Sequence, residues 1–212
     1  MEFIGEAISF ILNIDVYLGK IISQYGIFSY GILFAIIFAE TGFIFTPFLP
    51  GDSLLFAVGA LSALGSFNII LIVSLLWLAA FLGDTVNYWI GYYFGEKLIS
   101  NPKIPIKQEH INKTQIFYEK YGGKTIILAR FIPIVRTFAP FVAGISKMNY
   151  KKFVFFNAVG GFVWVFSLTF LGYFFGNIPL IKNNFSLVVL IIILFSLLPI
   201  IFEYLKKLTK KS

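Results

Sequence analysis

Residues 46–56 read TPFLPGDSLLF, two prolines, a glycine and an aspartate set into a chain that is otherwise intensely apolar. Proline lacks an N–H and clashes with the preceding turn, so no unbroken helix is expected through Pro47, Pro50 and Gly51. A carboxylate at Asp52 is equally out of place, since insertion scales put its cost at about 2.5–3.5 kcal/mol at mid-membrane. Breakers and acid together describe a segment that enters a bilayer and turns back within it.

The rest of the chain supplies the bilayer. Of its 212 residues 58% are hydrophobic and only 13% charged, where a soluble domain carries roughly one-quarter charged residues. Residues 21–39, 53–83, 153–181 and 183–202 contain no charge. Spanning the hydrocarbon takes ~20 mostly apolar residues, so these runs predict an all-α integral membrane protein with about four transmembrane helices. The N-terminus, MEFIGEAISF, lacks the basic region of a cleavable signal peptide, and its hydrophobic segment is expected to be retained. The absence of cysteine excludes disulfides, thiolate zinc sites and a Cys nucleophile.

Retained lysines mark the cytoplasmic side. They gather in residues 97–124 (Lys97, Lys103, Lys107, Lys113, Lys120, Lys124), at Lys147, Lys151 and Lys152, and in the tail YLKKLTKKS. The loop 97–124 and the C-terminus are therefore assigned to the cytoplasm. No basic patch with interleaved aromatics stands clear of lipid-facing sequence, which excludes a nucleic-acid partner and favours anionic headgroups.

This assignment makes 153–176 and 185–203 a hairpin of spanning helices with NIPLIKNN as its external turn. Between Lys124 and Lys147 the chain is apolar but has cytoplasmic signals on both sides, and it holds Arg130, Pro133, Arg136 and Pro140. Residues 125–146 are thus a second re-entrant hairpin beside the one at about 40–60, the prolines supplying both breaks. Such broken backbone is tolerated only where protein or a wet cavity covers it. GYYFG at 91–95 and GYFFG at 172–176 close the two halves alike. With a helix at about 67–95 starting outside, the hairpins open to opposite faces, the inverted-repeat plan of secondary transporters. One polytopic domain results: first half 1–96, cytoplasmic loop 97–124, second half 125–178, and a final helix with basic tail over 179–212.

Glu40, Asp52, Arg130 and Arg136 are charges set in apolar sequence, and an intramembrane charge is by default functional. They could simply neutralise one another and lock the hairpins together. The functional reading is an anion site, since the planar arginine fork suits a phosphate. The four charges sum to zero, so a bound phosphate would leave the group negative, and Glu40 or Asp52 should take up a proton as it binds. Asp84 shares a helix face with Tyr88, Gly91 and Gly95 in LGDTVNYWIGYYFG. A support role is expected for it, bonding a neighbouring helix or holding an arginine, while the glycines admit another helix closely. Asn157, Gly160 and Gly161 read as packing and polar glue, and His110 as a solvated loop residue. The loop segment itself reads as a lysine-rich helix resting on the cytoplasmic surface. No HExxH, GxSxG or P-loop pattern is present, which argues against an enzyme, and no cofactor or metal is expected.

ETGFIFTPFLPGDSLLFAVG, FLGDTVNYWIGYYFG and LARFIPIVRTFAPFVAGISKMNYKKFVFFNAVGGFVW, in this order, resemble the DedA family of membrane proteins, related to the eukaryotic VTT-domain lipid scramblases. The resemblance covers residues 25 to 178. It implies two facing re-entrant hairpins and lipid translocation in the bacterial cytoplasmic membrane. The substrate it suggests is undecaprenyl phosphate, the carrier lipid of wall synthesis, moved with dependence on proton motive force. It places the family's important acids on Glu40 and Asp52 and its arginines on Arg130 and Arg136. The expected partners are an anionic polyprenyl-phosphate lipid, surrounding lipids and protons, with a homo-oligomer left open. Rivals are a phospholipid flippase or uncoupled scramblase, an ion or proton channel, and an intramembrane phosphatase, which should show a His nucleophile or metal ligands and does not.

Overall fold

The computed structural model describes residues 25–43, 51–100, 108–176 and 178. The first hydrophobic segment, Pro47, Pro50, nearly all of the turn NIPLIKNN, the helix expected at 185–203 and the basic tail lie outside the described residues. Among the described residues every regular element is helical: α1 (Phe28–Gly42), α2 (Gly51–Ala63), α3 (Ile69–Ser100), α4 (Gln108–Tyr121), a 3₁₀ turn (Gly122–Lys124), α5 (Thr125–Ala129), α6 (Pro133–Ile145) and α7 (Tyr150–Gly176).

Two stretches, Ile69–Gly95 and Tyr150–Gly176, are apolar over 27 residues each. At 1.5 Å per residue each is about 40 Å long, more than the ~30 Å hydrocarbon core. Their outward faces are themselves apolar. Leu71, Leu78 and Leu82 on α3 and Phe155, Phe162, Phe166 and Leu171 on α7 are exposed, a pattern that water would penalise and lipid does not. By contrast α2 and α6 have 13 residues each, about 20 Å, too short to cross alone.

The uncharged run 53–83 is not one helix. α2 ends in a pair of bonds, Gly65 N–H to Ser62 O (3.0 Å) and Ser66 N–H to Leu61 O (3.0 Å), with Gly65 at φ +83°. This left-handed stop favours glycine. α6 ends in the same way, with Lys147 N–H to Gly144 O and Met148 N–H to Ala143 O, both 2.9 Å; here Lys147 takes the left-handed position at φ 51°. After each stop an asparagine starts a long helix. Asn68 Oδ1 accepts from the N–H groups of Ile70 and Leu71 (both 3.1 Å), and Asn149 Oδ1 from those of Lys151 (3.1 Å) and Lys152 (3.3 Å). Asn149→Ala is expected to lower stability by about 1 kcal/mol, as lost caps do, read as the fall in unfolding midpoint in detergent.

The chain folds as two compact units, one holding residues 1–31, 50–72 and 167–212, the other 32–49 and 73–166. In the first, α2 lies against α7 so closely that a methyl on Gly172 would overlap the Phe56 carbonyl and one on Gly59 the Thr169 carbonyl. In the second, α6 meets α3 through the same contact, Gly91 against the Phe141 carbonyl and Gly144 against that of Tyr88. Asn68 and Asn149, Gly91 and Gly172, and Gly95 and Gly176 are each 81 positions apart. FAVGA at 56–60 and FVAGI at 141–145 supply the opposing carbonyls, a likeness the sequence reading missed.

Around the second unit's seam, α4 packs on α6. Ile111 and Thr114 are buried. Tyr118 donates its hydroxyl to Ala139 O at 2.8 Å, and Phe117 and Tyr118 cover Ala129, Val135 and Ala139. Burial pushes the Tyr118 phenol above its ordinary value, which keeps it a donor. Residues 111, 114 and 118 share one helix face, so the polar loop is docked on α6 and does not simply rest on a surface. At the lysine-bearing end, Tyr88 stacks on Phe153 at 4.4 Å and Trp89 on Tyr150 at 5.0 Å, an aromatic band of the kind found at membrane interfaces.

Candidate functional site

The site is built on one stretch of α3 in the second unit. Gly83 lets α1 close onto α3, since a methyl there would overlap Thr41 Oγ1 and crowd the Phe38 carbonyl. This approach puts Glu40, on the last turn of α1, beside α6. Arg136, in the first turn of α6, donates through Nη2 to Glu40 Oε1 at 3.0 Å.

Arg130 stands in the turn between α5 and α6, two short helices that pack on each other. The chain breaks here because Ile132, preceding a proline, is extended (φ −125°, ψ 104°) and Pro133 opens α6. Pro140, expected to break this segment, instead lies inside a continuous α6. Among the prolines of this segment, Pro133 alone supplies the break.

Arg130 is 2% exposed. Its Nη2 donates to Asp84 Oδ2 at 2.5 Å and to Asn157 Oδ1 at 2.6 Å. Asn157 is held in turn by donating Nδ2 to Phe81 O at 3.0 Å, which ties α7 to α3. Gly160 and Gly161 pack directly on the Arg130 side chain. Below both guanidiniums lies Trp164, its ring centroid 5.7 Å from Arg130 Cζ and 5.0 Å from Arg136 Cζ, a cation–π arrangement that offsets the repulsion between two like charges.

Glu40, Asp84, Arg130, Arg136 and Asn157 are thus brought together, two acids with two bases. The acid paired with Arg130 is Asp84, which the sequence reading cast as support able to hold an arginine. Asp52, with Gly51, opens α2 in the other unit, where the helix N-terminus favours its negative charge. Among the described residues no group of three His, Cys, Asp or Glu side chains could hold a metal.

Residues 49–174 match the VTT domain. The chain is 52% identical to Protein DedA of Escherichia coli K12 over 209 residues, 97% of this chain and 95% of that protein. It belongs to the DedA family. Among its relatives in that family are an uncharacterized membrane protein of Mycobacterium tuberculosis H37Rv and the inner membrane protein YqjA of E. coli K12. The first is 44% identical over 167 residues, 77% of this chain and 73% of the relative. The second is 38% identical over 151 residues, 71% and 69% of the two chains. No solved structure matches. Like these relatives, this DedA-family chain is a membrane protein.

Two residues of the DedA-family cluster escaped the sequence reading. Trp164 is one of only three tryptophans, but nothing in its spacing distinguishes a platform for arginines from a lipid-facing aromatic. Asn87 follows Asp84 at a helical interval within the quoted motif, and that interval was the available signal.

Proposed function

We propose that this DedA-family protein is a carrier, not an enzyme. It moves a phosphate-headed lipid, a polyprenyl phosphate such as undecaprenyl phosphate, across the bacterial cytoplasmic membrane. Its headgroup passes along Arg130 and Arg136 while the tail stays in the bilayer. One observation carries this reading: Arg130 Nε and Nη1 are buried with no hydrogen-bond partner. Buried donors are nearly always matched, and an orphan costs about 1–3 kcal/mol. Guanidinium donors left open in this way are suited to phosphate oxygens.

The four clustered charges sum to zero, so an arriving anion leaves the cluster negative, and a proton, taken up at Glu40 or carried in on the anion itself, would offset that charge. The repeated caps and glycine seams support the inverted-repeat reading, in which α2 and the α5–α6 pair are the inner arms of two re-entrant hairpins. The lysine-rich loop 97–124 and the C-terminus would then face the cytoplasm.

In proteoliposomes, labelled undecaprenyl phosphate is expected to cross with the wild type, faster under a pH gradient, and not with Arg130→Ala. Equal crossing by both proteins sinks the site assignment. Indifference to the gradient turns the carrier into a scrambler, and ionic current without lipid movement into a channel.

A further inference from the structure

Asn87 is fully buried. Its Nδ2 donates to Thr41 O at 3.2 Å and to Thr137 O at 3.0 Å. These carbonyls come from α1 and α6, and each belongs to the residue that follows a member of the Glu40–Arg136 pair. With both N–H groups committed to carbonyls, the amide cannot turn over without losing two bonds, so its orientation is fixed. The other end of that amide, Oδ1, is buried with no hydrogen-bond partner.

Asn87 and Asp84 are three residues apart on α3, neighbours on one helix face, and Asp84 holds Arg130. Two orphan donors, Arg130 Nε and Nη1, and one orphan acceptor, Asn87 Oδ1, therefore gather about a single turn of α3. A headgroup with acceptor oxygens alone, such as a phosphodiester, matches the donors and strands the acceptor. A singly protonated phosphomonoester matches all three, with oxygens for the guanidinium and one P–OH for the amide.

We propose that Asn87 Oδ1 accepts a hydrogen bond from the P–OH of a singly protonated phosphomonoester, so that the site selects monoesters over diesters and the cargo brings its own proton. This rests on the phosphate reading of Arg130 and refines it. The proton that offsets the headgroup's charge travels on the phosphate, with no need to protonate a carboxylate. A phosphomonoester loses its second proton near pH 6, so the required species is accessible close to neutrality, and as a monoanion it adds one negative charge to the neutral cluster where the dianion adds two.

The test compares farnesyl phosphate with its methyl diester, binding measured by calorimetry on the full chain in detergent for wild type, Arg130→Ala and Asn87→Ser. The wild type is expected to prefer the monoester by about tenfold or more, the factor one unmatched buried acceptor is worth. Asn87→Ser should bring monoester affinity down to that of the diester, and Arg130→Ala should abolish both. Equal affinity of the wild type for the two lipids, both lost in Arg130→Ala, overturns the role of Asn87 and leaves the phosphate reading standing. Parallel loss of both lipids in Asn87→Ser makes the residue a backbone clamp only and likewise overturns it. Binding of neither lipid by the wild type takes down both readings.

Discussion

Arg130→Ala is expected to destabilise the folded protein by about 3–5 kcal/mol, because it strips the buried Asp84 carboxylate of the cation bonded to it. Asp84 is only 4% exposed. Asp84→Ala should act in the same direction, leaving the guanidinium bonded to Asn157 alone. The double variant is the informative one. With both charges gone nothing is left uncompensated, and much of the loss should return, since a buried pair replaced whole is often near neutral. Unfolding of the four proteins in mixed micelles gives the coupling directly. Strict additivity would mean that the short Arg130–Asp84 contact carries no energy. The double variant also separates fold from function: it should remain folded and yet move no phosphate-headed lipid, because the guanidinium is gone.

Placement of these charges shows what could be read in advance. Glu40, Asp84, Arg130 and Arg136 are visible in the sequence because a charge inside an apolar run is costly and therefore conspicuous. Their partners are not visible. Which acid meets Arg130 is fixed by where α3, α5 and α7 cross, and that crossing is set by Gly160, Gly161 and Asn157, residues whose identity announces only that something packs there. Trp164 is harder still, since a lone indole in an apolar helix has no spacing of its own to betray a role, and Asn87 offers only its helical interval from Asp84. Pro140 misled for a physical reason: proline forbids one backbone bond but need not end a helix whose freed groups are met by neighbours. The repeat was legible through GYYFG and GYFFG, and the capping asparagines at the same interval would have strengthened it.

The repeated seam leads to the second large effect. Gly91 and Gly95 belong to one motif on one face of α3, yet substitutions at the two should differ sharply. A methyl at Gly91 overlaps the Phe141 backbone carbonyl, whereas one at Gly95 meets the Ile145 side chain. A side chain can change rotamer; a helix backbone can only move away. Gly91→Ala is therefore expected to lose stability at the upper end of the ~1–3 kcal/mol typical of overpacking, and Gly95→Ala at the lower end. Displacement of α6 has a second consequence, because this helix carries Arg136 and the Thr137 carbonyl held by Asn87. Gly91→Ala should weaken lipid binding even in protein that remains folded, and Gly95→Ala should not. In the other unit the pattern changes in a way the geometry specifies. Gly172 meets the Phe56 carbonyl and should mirror Gly91, but Gly176 meets the backbone of Ala60, so Gly176→Ala should be as damaging as Gly172→Ala. Unfolding midpoints of the four alanine variants, measured side by side, decide the matter. Four equal losses would mean that it makes no difference whether the methyl meets backbone or side chain, and that backbone contact does not set the position of either short helix.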